Sequence, residues 1–519
     1  MQHQADTFAA TTATTTTSST LTEACSRRQT GGTEQRSCVW PAGGTEEAPK
    51  GSPLPIEEEE ERPEEEEESR YRVTPQGVTC SAGSIDYQKL IRQFGCKPID
   101  PALLHRLEEL ALRRTGKPLH PFLKRGIFYS HKDLDLLLDD YEASRDGPST
   151  FYLYTGRGPS SRSMHLGHLL PFLFTRYLQQ LFDVPVVIQL TDDEKYLFRE
   201  NLTLSQIRRN LEENRRDIIA CGFDPQKTLI FNNLDHMGLV GMYPNVVRIQ
   251  RALLNSQVRA LFGVVASDNV GRTAFPAIQA APAFASSFPF LFGEELRRGI
   301  HRKCLIPCGI DQDPYFRMTR ELTRKLNHAH LLDVEAEEAE QEQSKKTKKK
   351  KTPTTKKQHQ EKDQEKEEDP GPFKKPALIH SKFFPSLRGP LHEGKMSASH
   401  PDSVIFLDDT PKQLRRKIFT ALSGGRTPLE EHRRLGADLT VDVPFLYLSF
   451  FLEDEEQLEQ IRRDYGSGTL LSGQVKQRCY EVLLEVLREH QQRKASITPA
   501  LVAQFTDYSR SFCSSSSSD

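Results

Sequence analysis

The stretch FYLYTGRGPSSRSMHLGHLLPF, residues 151–172, decides the fold. Its first five residues are a near-continuous apolar run of strand length, and MHLGHLLPF reads as the opening of a helix. A glycine turn, GRGPSS, lies between them. Strand, glycine turn and helix N-terminus, in that order, make the first crossover of a doubly wound α/β sheet, where backbone N–H groups and the helix dipole hold phosphate. Gly156 and Gly158 permit close approach of a ligand. His165 and His168 stand three apart, so both imidazoles project from one face toward that anion site and each can offer an N–H donor. Gly167 between them leaves room for a flat ring, and Pro171 is tolerable if the helix opens near Gly167.

Further strands follow outward from this unit. VPVVIQL (184–190), TLIF (228–231) and KCLIPC (303–308) are apolar runs separated by helix-length stretches, the pattern of strands buried in a parallel sheet. Residues 147–333, resumed at 376–408, therefore form an α/β Rossmann-like domain. Residues 79–146 are expected to be a mainly helical extension: LLHRLEELALRR has helical spacing, and SHKDLDLLLDDYE begins with Ser130 as a cap. Residues 409–519 are expected to be all-helical. There Val475, Cys479, Val482, Leu483, Val486 and Leu487 line one stripe behind a Ser472 cap. Residues 1–78, with the acidic run EEEEERPEEEEE, and 334–375, with lysines concentrated at 345–357, lack the apolar surface to offset chain entropy and are expected to be disordered. The lysine block reads as a solvated insertion loop.

Composition excludes several classes. Charged residues are 27% of the 519 and nearly balanced at a net of -2, so no global field announces a nucleic-acid or membrane partner. No apolar run reaches the roughly 18 to 20 residues that span a bilayer. Residues 1–26 contain no lysine, arginine or apolar signal segment, which points to a non-secreted protein and, for want of arginine, away from a transit peptide. Nine cysteines without a spacing framework fit a reducing compartment. His301, Cys304 and Cys308 read as core rather than zinc ligands, so no metal site is assigned.

A second element lies in the loop HEGKMSAS, where Lys395 and the hydroxyls of Ser397 and Ser399 could grip a polyphosphate while charge develops on it. HLGH followed by KMSAS is similar to the paired signatures of class I aminoacyl-tRNA synthetases. The words YTGRGPSS, TDDEKYLF, FPAIQAAP, IPCGIDQDPYFRMTR and SGGRTPLEEHRRLGADLTVDVPF extend the resemblance to the eukaryotic, tryptophan-specific members, over roughly residues 84–508 apart from the insertion.

That resemblance implies attack of the tryptophan carboxylate on the α-phosphorus of ATP, then transfer of tryptophan from the adenylate to the terminal adenosine of its tRNA. Such chemistry needs positioning and charge stabilisation rather than an enzyme nucleophile. It further implies that ATP lies against Thr155, Gly156, Arg157, Gly158, His165, Gly167, His168, Lys195, Lys395, Met396, Ser397 and Ser399, with Mg2+ sharing the phosphate charge. His165, His168, Lys395 and Lys195 would be the catalytic groups. Ala398 stands where the signature has a second lysine, and Lys195 is expected to supply that charge. The resemblance also implies a cytoplasmic homodimer with no membrane partner, an anticodon-reading helical piece from about 409, and closure over ATP by SIDYQKLIRQFGCKPID (84–100).

Indole offers one polar atom, a donor, so its pocket needs an acceptor among apolar walls. Tyr154 and Gln189 end the first two strands at the ligand-binding edge, and they match the family positions that meet the indole N–H. Glu194, Gln279 and Gln312 match those that meet the amino-acid backbone. Three rivals are separable. A small nucleotidyltransferase would lack KMSAS and the long helical C-terminus. A non-catalytic relative that binds RNA or protein would show erosion of His165, His168, Lys395 or Glu194, all intact here. Tyrosine as substrate would call for different pocket partners, because its hydroxyl both donates and accepts.

Overall fold

The computed structural model describes residues 71–74 and 77–80 (backbone only), 85–144, 151–238, 240–348 (side chains to 340), 371–389, 396 and 401–512. The expected disorder of 1–70 and of 349–370 lies outside them. Among the described residues nine strands run in chain order: β1 (Tyr71–Thr74), β2 (Gly77–Cys80), β3 (Lys97–Pro98), β4 (Phe128–Lys132), β5 (Phe151–Arg157), β6 (Val186–Leu190), β7 (Thr228–Asn232), β8 (Lys303–Gly309) and β9 (Ala377–Ser381). β1 and β2 pair as a separate antiparallel hairpin. The other seven form one sheet in the order β3-β4-β9-β8-β5-β6-β7.

β9, β8, β5, β6 and β7 are parallel neighbours, with Leu153 opposite Val186 and Leu305. β5 is central, and the order reverses beside it, so its carboxyl end opens into the crevice where such sheets bind ligands. Alternation of side chains explains the layers. Phe151, Leu153, Val186, Ile188, Ile230 and Leu305 enter one core, while Tyr152, Tyr154, Val187, Leu229, Phe231 and Cys304 enter the core on the other face. The first core also takes in Leu107 and Leu138 of the extension and Leu448, Val475 and Leu483 of the C-terminal helices, so these segments pack as one body with the sheet.

Several local expectations are corrected. The sheet is mixed: β3 pairs antiparallel with β4, and β4 antiparallel with β9. The extension thus contributes strands as well as helices. Ser130 caps nothing; it is a β4 residue bonded to His380 Nδ1 at 3.2 Å, and the helix Leu134–Ala143 follows Asp133 in a left-handed conformation (φ 55°). Ser472 is the first residue of the helix Ser472–Ala495, where its hydroxyl accepts from Tyr465 OH at 2.9 Å. Gln474 instead accepts from Leu471 N at the helix start, at 2.9 Å. Residues 334–348, expected to be disordered, continue the 36-residue helix Asp313–Lys348. Its first half is anchored by buried Tyr315, Phe316, Leu322 and Leu326, and the Glu-, Ala- and Lys-rich sequence beyond propagates a helix already nucleated. Residues 71–74 and 77–78 of the expected tail belong to the backbone-paired hairpin.

The long C-terminal helix Ser472–Ala495, followed by the shorter Pro499–Phe505, is fastened beside the crossover. Lys494 Nζ and His490 Nε2 lie 2.7 and 3.2 Å from Asp217 of the helix Leu204–Ala220. Asp217 in turn accepts from Met164 N at 3.5 Å, one residue before the first histidine.

His236, fully buried, has neither ring nitrogen hydrogen-bonded among the described residues and is ringed by Phe231, Phe288, Phe290 and Tyr508. Burial lowers its pKa from 6.5 to about 4. The folded ring therefore stays neutral while the unfolded one gains a proton, so this contribution is fully present above pH 6.5 and lost as pH falls toward 4. Denaturant midpoints are expected to fall between pH 7 and pH 5, and to fall less in His236→Phe. Parallel losses in both proteins would remove His236 as the cause.

Candidate active site

The site is assembled from the carboxyl ends of β5, β6 and β8. His165 ends the loop after β5 in extended conformation (φ -114°, ψ 167°), and the helix Leu166–Phe182 begins at the next residue. Pro171 therefore sits in the second turn, where it offers no N–H to the Gly167 carbonyl. His168 Nδ1 accepts from His165 N at 3.3 Å, and the two rings stack with centroids 3.4 Å apart. Leu166 N donates to Ile405 O at 3.0 Å and Leu407 N to Met164 O at 2.9 Å, which joins this segment to the chain just past the KMSAS loop. Met396 is buried, and its N–H donates to Phe384 O at 3.2 Å.

A cleft of about 800 Å³ lies over this junction. Gly156, Arg157, Gly158, His165, Gly167, His168, Lys195 and Met396 of the expected nucleotide site line it, together with Glu194, Gln279 and Gln312 of the expected amino-acid site. Thr155 is not among the lining residues; its hydroxyl is turned to Pro307 O at 3.5 Å. Lys395, Ser397 and Ser399 lie outside the described residues. Tyr154 and Gln189 are fully buried beneath the cleft and are brought together: Tyr154 OH lies 2.5 Å from Gln189 Oε1 and 3.0 Å from Gln279 O.

Four cations (Arg157, Lys195, Arg199, Arg272) against two carboxylates (Glu194, Asp311) line the cleft, a balance suited to a polyanion. Arg157 is half-buried, and burial lowers its pKa to about 10 against the opposing pull of Glu194 and Asp217, so it stays charged at neutral pH. Its Nε donates to Asn214 Oδ1 at 3.2 Å, while Nη2 is buried without a hydrogen-bond partner among the described residues. An unpaired buried guanidinium donor at this edge calls for an anion. Lys195 Nζ is held 2.7 Å from Glu194 Oε1, and Thr191 Oγ1 donates to Glu194 Oε2 at 2.6 Å. The charge expected of Lys195 is thus balanced by Glu194 here.

Several lining residues are absent from the sequence reading. Asp311 and Tyr315 flank the assigned Gln312 in IPCGIDQDPYFRMTR, so proximity along the chain was their signal. Phe275 and Tyr315 make an edge-to-face aromatic wall, and Arg272 lies over Phe198 at 5.2 Å. β1 of the hairpin runs beside the turn Ile310–Gln312, two residues of which, Asp311 and Gln312, line the cleft. Among the described residues one trio of ligand-type side chains has its atoms within 4.8 Å, Cys96, Asp313 and His380, and His301, Cys304 and Cys308 are not part of it. The Asp313 carboxylate is already paired with Lys132 Nζ at 3.1 Å.

Residues 148–488 match the family model described as tRNA synthetases class I (W and Y). The chain belongs to this synthetase family. The human protein named Tryptophan–tRNA ligase, cytoplasmic, is 48% identical over 429 residues, 82% of this chain and 78% of that one. The protein of that name from Schizosaccharomyces pombe is 44% identical over 427 residues, covering 82% of this chain and 93% of its own. Among solved structures, a Plasmodium falciparum tryptophanyl-tRNA synthetase superposes with a TM-score of 0.66 at 38% identity, over 82% of this synthetase and 96% of that chain.

Gly158 shows how tightly this synthetase packs its cleft. A Cβ there would come within 1.9 Å of Lys195 Cε and 2.7 Å of its Nζ. Only the flexible end of a side chain has to move, so Gly158→Ala is expected to keep its stability within about 0.5 kcal/mol while displacing Lys195 from Glu194. A crystal structure of the variant with the 2.7 Å ion pair intact would contradict this.

Proposed function

We propose that this chain is a cytoplasmic tryptophan–tRNA ligase. It activates L-tryptophan with ATP to the adenylate and pyrophosphate, then transfers tryptophan to the terminal adenosine of its tRNA. The observation that carries the reading is the buried Tyr154–Gln189 pair set beneath a cationic cleft. The Tyr154 proton is directed to Gln189 Oε1 and Gln279 O, which leaves the phenol oxygen to act as an acceptor toward a ligand. A donor-only indole N–H fits such a site.

In this reading the triphosphate lies across Gly156, Gly158 and the stacked His165 and His168, with Arg157 and Lys195 as its cationic partners. Lys395, Met396, Ser397 and Ser399 close on it from the second motif, and Thr155 shapes the strand end from below. Glu194, Gln279 and Gln312 hold the α-ammonium and carboxylate of the amino acid. The carboxylate then meets the α-phosphorus in line, and the cations and imidazole donors stabilise the charge that gathers on the departing pyrophosphate. Magnesium is read as arriving with ATP, held chiefly by the phosphates. Glu194 is engaged by Lys195 and Thr191, and Asp311 accepts from Gln312 Nε2 at 3.2 Å, so neither is assigned as its ligand. The helical segment from about 409 is read as the part that meets the anticodon, and the working molecule as a homodimer. Among the described residues no helix is long and apolar enough to cross a membrane.

Exchange of labelled pyrophosphate into ATP tests the reading, with tryptophan, tyrosine and phenylalanine supplied in parallel. Exchange is expected with tryptophan alone, falling at least roughly 100-fold in His168→Ala while that variant, with its capping bond lost, still folds cooperatively. Exchange with tyrosine, or with none of the three, would refute it.

A further inference from the structure

An amide side chain can face a ligand with either its oxygen or its NH2 group, and burying it in the wrong sense turns an acceptor into a donor. The sense of the Gln189 amide is set by a chain of buried bonds. Its Oε1 accepts from Tyr154 OH at 2.5 Å, while its Nε2 donates to Asn233 Oδ1 at 2.8 Å and to Ile278 O at 3.3 Å. Asn233 is 1% exposed, and its own Nδ2 donates to Asp193 Oδ1 at 2.7 Å. An ionised carboxylate only accepts, so Asn233 must turn its NH2 to Asp193 and its oxygen to Gln189. Gln189 must then turn its NH2 to Asn233 and its oxygen to Tyr154.

We propose that Asn233, oriented by Asp193, is a positioning residue for amino-acid specificity: it fixes which end of the Gln189 amide faces the indole pocket, so that the pocket presents acceptors to the ring N–H. The proposal rests on the reading above that Tyr154 and Gln189 meet the indole. Two features separate this role from simple fastening of the strand end. The adjacent Asn232 already fastens the end of β7, donating to Asp192 Oδ2 at 2.8 Å and accepting from Arg215 Nη2 at 3.2 Å. Asp193 Oδ1 also accepts from Glu194 N at 2.7 Å, so the same carboxylate sets the ring reader at one end and, at the other, the backbone of the residue assigned to the α-ammonium.

The test compares L-tryptophan with β-(1-benzothiophen-3-yl)-L-alanine, whose ring carries sulfur where indole has N–H, in pyrophosphate–ATP exchange. The wild-type protein is expected to prefer tryptophan by at least roughly 10-fold in kcat/KM. Asn233→Leu, alike in branched shape and without polar side-chain atoms, is expected to reduce that preference to about threefold or less, through a raised KM for tryptophan, while turnover of the analogue stays within about threefold of wild type. Asp193→Asn, which lets Asn233 turn either way, moves the preference in the same direction and serves if Asn233→Leu does not fold. A parallel loss for both amino acids, with the ratio kept, would mean a structural role only and would overturn the proposal. Absence of preference in the wild type would instead overturn the indole reading beneath it.

Discussion

Two backbone hydrogen bonds, Leu166 N to Ile405 O and Leu407 N to Met164 O, hold the histidine segment against the chain that leaves the lysine loop. The rest of the site depends on this splice. Residues 165 and 395 are far apart in sequence, and the closure entropy of the intervening chain has to be offset before both motifs can face one ligand. The sheet does part of that work by placing β9 beside β8. The C-terminal helix does another part: Gln491 donates to Leu407 O at 2.8 Å, and His490 and Lys494 hold the Asp217 that faces Met164 N. The junction under the cleft is therefore braced by the segment read as meeting the anticodon.

The electrostatics follow from burial. Among the described residues around the cleft, cations outnumber carboxylates, and the guanidinium of Arg157 keeps a buried donor unpaired. Beneath it, the polar groups are satisfied by one another through Tyr154, Gln189, Asn233 and Asp193. Burial raises the Asp193 pKa to about 6, against the lowering effect of its bonds from Asn233 and Glu194 N, so the carboxylate is ionised at neutral pH and acts as a pure acceptor. The first region is cationic with a buried guanidinium donor; the second is a closed set of neutral amides and a phenol ending on one carboxylate.

The central strands were legible because strands buried on both faces are largely apolar, as in VVIQL and TLIFN, with the polar residues mainly at the strand ends. β4 was not, because FYSHK is three-fifths polar and fully buried; Ser130 and Lys132 find partners, His380 and Asp313, that lie more than 180 residues away. β9 is a five-residue run after a charged segment, too short to distinguish by periodicity alone. The helix through 334–348 escaped for the opposite reason: its composition is that of a solvated chain, and it is helical because Tyr315 to Leu326 nucleate it. Among site residues, the histidines, Tyr154, Gln189 and Glu194 were readable from motif and strand-end position. Asn233 follows TLIFN as an ordinary polar residue, and only the pairing of β6 with β7 brings it to Gln189.

By itself the sequence determined the α/β class, the strand–glycine–helix crossover, the two signature motifs and the family, because each is written in local residue order: glycines in the turn, histidines three apart, apolar runs at strand length. Only the tertiary structure decided which way the buried amide of Gln189 points, what holds Lys195, and how the C-terminal helix braces the cleft. These are matters of hydrogen-bond complementarity between groups remote along the chain. A donor or acceptor is assigned its sense by the partner it meets, and that partner is chosen by folding.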